Sequence, residues 1–330
     1  MLSFKSMKIS KILLLLVGIL FSKLTYACDF CMLGQGVSPY LISNNAGVTL
    51  DSTLIESNQI YDGKSAVSSN GKKEAWTVYN VTGFFAINPN LSASVTVPYV
   101  SKANVDFDST SNTNPGVVTA GLGDVSATGR YTLFDSKSPE GAWIGGVLFG
   151  IKLPTGSTDK NDQQGNPVDR HAQPGTGSYD LNLGFTSAFT GNGYQATFDA
   201  VYNYAGKGKW NGRNHRYGDS INATLKGYLK TSSEDIAHHA FYVFTGPSVE
   251  IIGKETGTQT DTGYDSNMIN PSSGGTVGYW NFGFYGVLQN NTFVNVGLAK
   301  AIYHDMNFDS NFDADPAEDY KVNLSVSFLF

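Results

Sequence analysis

The sequence predicts an all-β fold, a transmembrane antiparallel β-barrel of about twelve strands with short periplasmic turns and long extracellular loops. Three observations predict it. Segments in which polar and apolar residues alternate recur from residue 48 to the end of the chain. Most run roughly 10 to 13 residues, longer than strands of soluble sheets and close to the span a tilted strand needs to cross a bilayer. Short and long connections between them alternate without a break, as in outer-membrane barrels.

The N-terminus stands apart. Lys5, Lys8 and Lys11 precede the apolar run ILLLLVGILF (12–21), and small residues Thr25 and Ala27 follow. This is the pattern of a secretory signal peptide, with cleavage expected after Ala27. The apolar core is short for a membrane anchor. Cys28 would suit a lipoprotein, but the preceding Thr-Tyr-Ala is a poor lipidation signal. Removing residues 1–27 removes four Lys and no acid, which takes the formal net charge from −6 to −10. No nucleic-acid partner is expected of so acidic a chain. Charged residues are 15% and aromatics 13% of the sequence. Beyond residue 30 the longest apolar run is WIGGVLFGI (143–151), which suits a strand and is too short for a spanning helix. Three regions follow: a signal peptide (1–27), an N-terminal segment (28–47) that hangs in the periplasm or plugs the lumen, and a barrel (48–330).

The strands are expected near 48–57, 75–88, 91–100, 122–134, 142–153, 178–190, 194–204, 219–229, 240–251, 276–288, 292–303 and 320–330. Asn88-Pro89-Asn90, Gly191-Asn192-Gly193 and Gln289-Asn290-Asn291 are tight polar turns, and DSKSPEG and TSSEDIAHH are somewhat longer ones. The other connections, 58–74, 101–121, 154–177, 205–218, 252–275 and 304–319, are long, polar and rich in Gly, Asp, Asn and Ser. In GLGDVSATGRYTLF (121–134), Val125, Ala127, Gly129, Tyr131 and Leu133 share one face, and Asp124, Ser126, Thr128, Arg130 and Thr132 the other. In a membrane barrel the first face meets lipid and the second the lumen. The last strand alternates as cleanly and ends in Phe330; a terminal Phe resembles the signal by which outer-membrane assembly machinery recognises barrels. The expected partners are therefore outer-membrane lipid, that machinery and a small-molecule solute.

This topology places Asp124, Lys152 and Asp180 at the outer ends of adjacent strands with lumen parity, and Arg130 deeper. Two readings stand. The charges orient a passing solute, as charged rings do in pores, or they are an ion-pair network that pins strand register and loops. GLGD (121–124), KLPTG (152–156) and QPGTGSYD (173–180) resemble the MetA-pathway-of-phenol-degradation, or transporter-like, family of Gram-negative outer-membrane β-barrels. The resemblance runs from about Leu91 to the C-terminus. It implies a barrel that moves small molecules, with aromatic ones among the candidates, and carries over no catalytic residue.

Tyr242, Phe244, Tyr279 and Tyr285 have lumen parity if Val243 and Trp280 face lipid. The alternative is that they belong to interfacial aromatic girdles. Cys28 and Cys31 form a CxxC followed by Met32. Their readings are a disulfide, a soft-metal clamp or a redox pair. Haem is not expected, because no His follows Cys31. Asp309, Asn311, Asp313 and Asp315 echo the oxygen spacing of a calcium loop, yet Ala314 stands where an EF-hand needs Gly; a solvated loop is the alternative. His171, His215 and His304 are expected in external loops, where they could gather on a metal or lie scattered. His238 and His239 fall in a periplasmic turn. No cofactor is expected. Nor is an enzyme: no His has a Ser two residues on, as the outer-membrane phospholipase family requires. The expected function is passage of a small solute, aromatic or hydrophobic ones included, through the outer membrane. A structural, adhesive or metal-handling barrel is the alternative.

Overall fold

The structure, a computed structural model, describes residues 46–69, 73–105, 117–162, 165, 167–231, 240–260, 263–288, 291–312, 314 and 316–330. The signal peptide, the 28–47 segment up to residue 45, Cys28, Cys31, Met32, His238, His239, Asp313 and Asp315 lie outside the described residues. The strands in chain order are β1 (Ala46–Asp62), β2 (Ser65–Val67), β3 (Lys73–Asn88), β4 (Leu91–Val105), β5 (Val117–Leu122) and β6 (Ser126–Ser138). Then come β7 (Gly141–Lys152), β8 (Asp180–Gly191), β9 (Tyr194–Tyr204), β10 (Lys207–Trp210), β11 (Arg213–Arg216) and β12 (Ser220–Lys230). The chain ends with β13 (Ala240–Ile252), β14 (Thr256–Thr260), β15 (Gly263–Ile269), β16 (Gly275–Leu288), β17 (Thr292–Met306) and β18 (Ala317–Leu329).

Twelve of these strands form the barrel, in the order β1, β3, β4, β6, β7, β8, β9, β12, β13, β16, β17, β18. The ring closes where β18 pairs antiparallel with β1, from Gly47↔Leu329 onward. Closure leaves no free sheet edge, which is what a sheet in hydrocarbon requires. Side chains alternate across the wall. Thr49, Thr82, Ser92, Asn182, Thr186, Asn203, Asn281, Asn323 and Ser325 are buried on the inner face, while Leu50, Val81, Leu183, Leu225, Phe282 and Phe284 are exposed on the outer. A polar inside and an apolar outside invert the soluble pattern and identify an outer-membrane barrel. Near the short-turn end, Trp143 packs edge-on against Phe134 and Phe189 on the outer face, and its indole N–H donates to Ser187 Oγ at 2.7 Å. That arrangement suits an interfacial girdle.

Every expected strand is present, and the tight turns at 88–90 and 191–193 hold the expected places; Gln289 and Asn290 of the third lie outside the described residues. Two features differ. The segment 122–134 is not one strand: β5 and β6 are separated at 123–125. Its partner β4 carries the fully buried Pro98, which offers no N–H to the ladder, and Gly123 N–H donates to Pro98 O at 3.0 Å. A Cβ on Gly123 would lie 2.8 Å from Val100 Cγ2, so only glycine fits this break. Val125 thus lies outside both strands, half-buried; Tyr131 and Leu133 remain in the lipid-facing row, exposed. The long connections also hold more structure than expected. β1, β4 and β17 run past the expected ends, and β10, β11, β14 and β15 pair into a four-stranded external sheet. His304 accordingly sits on β17, stacked on Tyr61 at 4.0 Å, rather than in a loop.

A charge on the outer face should be costly near mid-strand. Phe282→Arg should lower unfolding free energy in liposomes by about 2–4 kcal/mol. A loss below about 0.5 kcal/mol would mean that position 282 does not meet lipid.

Candidate functional site at the outer mouth

The site begins with the break in the wall. Freed from the ladder, Asp124 turns its carboxylate on the segment between β7 and β8, residues 153–179, here termed the strap. Asp124 Oδ1 accepts from Gly156 N–H at 2.8 Å, and Oδ2 from Thr176 N–H at 2.8 Å and Thr176 Oγ1–H at 2.6 Å. Lys152 Nζ lies 2.5 Å from Asp180 Oδ2 and 3.5 Å from Asp124 Oδ2, and it donates to Thr176 Oγ1 at 2.7 Å. Ser178 Oγ donates to Asp180 Oδ1 at 2.8 Å. The three charges expected at one rim therefore meet, and they grip the two ends of the strap. Glycine makes the grip close: a Cβ on Gly175 would lie 2.6 Å from Gly156 O, and one on Gly156 2.7 Å from the Gly175 Cα.

The strap is folded on itself. Gly175 N–H donates to Ser157 O at 2.9 Å, and the buried Gln173 amide bridges Lys160 and Val168 through both its ends. At its far point a 3-10 turn, Arg170–Ala172, is capped by Asp169, whose side chain accepts from His171 N–H at 2.8 Å. This turn is held from two sides. On β4, Lys102, fully buried and stacked over Trp76 at 4.3 Å, donates to His171 O at 2.9 Å, and Thr119 of β5 donates to Ala172 O. Beyond β13, Glu255 accepts from Arg170 Nη2 at 2.6 Å and pairs with His171 Nε2 at 3.0 Å, while Arg170 Nη1 donates to Gly257 O. β4 and β13 stand third and ninth in the ring of twelve, so these anchors lie on opposite walls. The strap thus crosses the mouth. Tyr217 and Trp210 of the external sheet region secure it, donating to Arg170 O at 3.0 Å and Val168 O at 2.8 Å.

The electrostatics follow from this packing. Burial raises the Glu255 carboxyl, but His171 and Arg170 outweigh it and hold the group below the usual carboxylate range. His215, buried under the strap, is pushed down to about 4, first by burial and then by Arg170 and His171.

The remaining candidates fall into place by register. Arg130 is buried on the inner face of β6, opposite Ser92, with Asp199 as a counter-charge. Tyr242, Phe244 and Tyr285 point inward and join Tyr228 and Phe293 in one aromatic cluster near the short-turn end of the lumen. Ring centroids are 5.3 Å apart for Tyr228–Phe244, 6.0 Å for Tyr242–Tyr285 and 6.3 Å for Tyr285–Phe293. Tyr279 is also inward but apart from them. It lies under Lys321 at 4.6 Å, in a buried group with Glu250 and Glu318, both of which pair with Lys321. Asp309 accepts from Asn311 N–H and Nδ2–H at 3.0 and 2.9 Å, and its backbone N–H and carbonyl meet Ser272 Oγ at 2.9 Å, a turn tied to the loop before β16. Among the described residues no group of three or more His, Cys, Asp or Glu is placed to hold a metal. Lys102, Arg170 and Glu255 escaped the sequence reading. The quoted motifs marked the two ends of the strap, through Gly156 and through Gln173, Gly175 and Thr176, and His171 was named as a loop residue, but nothing marked its partners.

No family model matches the chain, and no curated protein does. Solved structures do match. The COG4313 outer membrane channel from Pseudomonas putida is 14% identical, with 90% of this chain and 99% of that one covered and a TM-score of 0.61. The β domain of the Bordetella autotransporter Brka is 10% identical over 87% and 100% of the two chains, TM-score 0.41. The CymD monoaromatic hydrocarbon channel is 8% identical over 90% and 95%, TM-score 0.40. The first of these likenesses establishes a shared fold: a closed outer-membrane β-barrel.

Removing the Asp124 carboxylate leaves the N–H groups of Gly156 and Thr176 without their buried acceptor, while Lys152 keeps Asp180. Asp124→Ala should cost the strap about 3 kcal/mol of local stability. Trypsin should then cut after Lys160 and Arg170 about a hundredfold faster while the barrel stays folded. An unchanged rate would mean that Asp124 does not hold the strap.

Proposed function

We propose that this protein is an outer-membrane channel for small solutes, narrowed at its outer mouth by the strap. The observation that carries the reading is the strap's double anchorage, to Lys102 on one wall and to Glu255 on the other. A barrel that served only to carry external loops has no need of a segment folded across its own opening. The polar inner face supports it, since a water-filled lumen is the usual reason for burying Thr, Ser and Asn rows. In this reading Asp124, Lys152 and Asp180 are the strap's anchor as well as part of the rim a solute passes.

The solute class is read from the inner end. Five rings on four neighbouring strands, Tyr228, Tyr242, Phe244, Tyr285 and Phe293, offer flat apolar surface inside a polar lumen. Rings stack and meet edge-on with other rings at such distances, so the cluster suits a small aromatic or apolar solute. The motif resemblance to the phenol-degradation family points the same way.

The test is single-channel recording on the refolded chain from residue 28 in planar bilayers. Discrete steps should appear, and benzyl alcohol on the periplasmic side should interrupt them while arabinose does not. In the double variant Tyr285→Ala/Phe293→Ala the interruptions should shorten several-fold. Absence of steps, also after deletion of residues 28–47, would overturn the channel. Steps with interruptions unchanged in the variant would overturn the aromatic station.

A further inference from the structure

We propose that the strap is an acid-sensitive gate, with His215 as its proton sensor and the Arg170–Glu255–His171 cluster as its latch. The inference gives the regulation of the mouth described above and rests on the channel reading for its consequence, though not for the movement itself.

The geometry carries it. His215 lies on β11, directly opposite Gly208 of β10, and is 3% exposed. Both ring nitrogens are shut off from solvent. Gly208 lies between the ring and the strap: a Cβ on it would be 3.1 Å from His215 Nε2 and 2.5 Å from Thr176 O. Tyr217 links the imidazole to the latch. Its ring meets His215 edge-on at 5.0 Å and His171 at 5.5 Å, and the Arg170 guanidinium lies 6.0 Å from its centroid. Its hydroxyl donates to Arg170 O at 3.0 Å.

The charges around His215 make protonation unfavourable in this position only. From the strap, Arg170 and His171 face it, with Asp169 Oδ1 3.2 Å from His171 Nδ1. From the segment after β13, Glu255 faces it, but that carboxylate is already shared between Arg170 and His171. On its own hairpin, Arg216 is turned into an ion pair with Asp219, and Lys207 and Lys209 lie on the exposed face. A proton on His215 therefore adds a cation beside Arg170, in a place water does not reach.

The sign follows from linkage. The seated imidazole titrates near 4 against an ordinary 6.5, so the closed state binds fewer protons than the lifted one. The seated arrangement is fully favoured above pH 6.5. It then loses ground tenfold per unit on acidification, about 300-fold in all, until the lower value is passed. Glu255 acts in the same direction, because its contribution to the latch is lost only when acid protonates it.

The experiment is hydrogen exchange, corrected for intrinsic rates, on the refolded chain from residue 28 in lipid vesicles between pH 7.5 and 4. The probes are the strap amides of Gly175 and Thr176, bonded to Ser157 O and Asp124. Their protection should fall at least a hundredfold with acid in the wild type and at least tenfold less than that in His215→Phe, where only the Glu255 contribution remains. His215→Gln provides a second proton-free side chain should the phenyl ring fail to seat. Wild-type protection that does not change, or variants that follow the wild type, would overturn the gate. Single-channel recording over the same range separates the two readings. Acid loss of protection that depends on His215, with no current at any pH, would uphold the gate and refute the channel.

Discussion

A sheet in hydrocarbon has nowhere to send the hydrogen bonds of a free edge, and everything in this molecule follows from that constraint. The pairing of β18 with β1 satisfies it. Once the ring is closed, each strand has one lipid face and one lumen face, and the strict two-residue period fixes which residue goes where. Paired registers carry a lumen assignment from strand to strand, reset where a bulge shifts the pairing, as at Thr132/Phe134 and Gly278/Tyr279. The three mouth charges meet for this reason: Lys152 is paired directly with Asp180 across β7 and β8, and Asp124 sits one step beyond Ser126, the partner of Lys152.

The mouth is built from the one place where the ladder yields. Pro98 and Gly123 interrupt β4 and β5–β6 pairing, and the carboxylate released there becomes the anchor of the strap. The strap in turn carries Arg170 and His171 out to Glu255 on the facing wall. Local irregularity, anchoring and closure of the opening are thus one connected structure. Its weak element is also visible. The imidazole of His215, seated dry beside two basic groups, ties the closure to proton concentration.

Much of this was legible in the sequence because a barrel strand is a local signal. Alternation over ten or more residues reports both strand and facing, and tight turns such as Gly191-Asn192-Gly193 report the joints. The facing of Tyr242 and Phe244 was legible from Val243 between them, but that of Tyr285 only through neighbouring strands, since β16 is aromatic on both faces and its own pattern is ambiguous. Phe293, at the very start of β17, drew no notice for a related reason: a strand end carries too few alternations. What the sequence withheld was long-range. Nothing local marks Lys102 as the partner of a carbonyl 69 residues away, or Glu255 as the partner of Arg170 85 residues away. Nor does alternation show that the connections would extend β1, β4 and β17 and pair into an external sheet, because Gly- and Asp-rich segments read as loops. The break at 123–125 was hidden because its cause, Pro98, lies on another strand.

The most direct measurement is the single-channel conductance of a chain in which residues 157–175 are replaced by a short Gly-Ser link, compared with the intact chain at neutral pH. With the mouth uncovered and the barrel unchanged, conductance should rise several-fold and lose its dependence on pH. An unchanged conductance would contradict the account, because it would place the resistance to flow somewhere other than the strap.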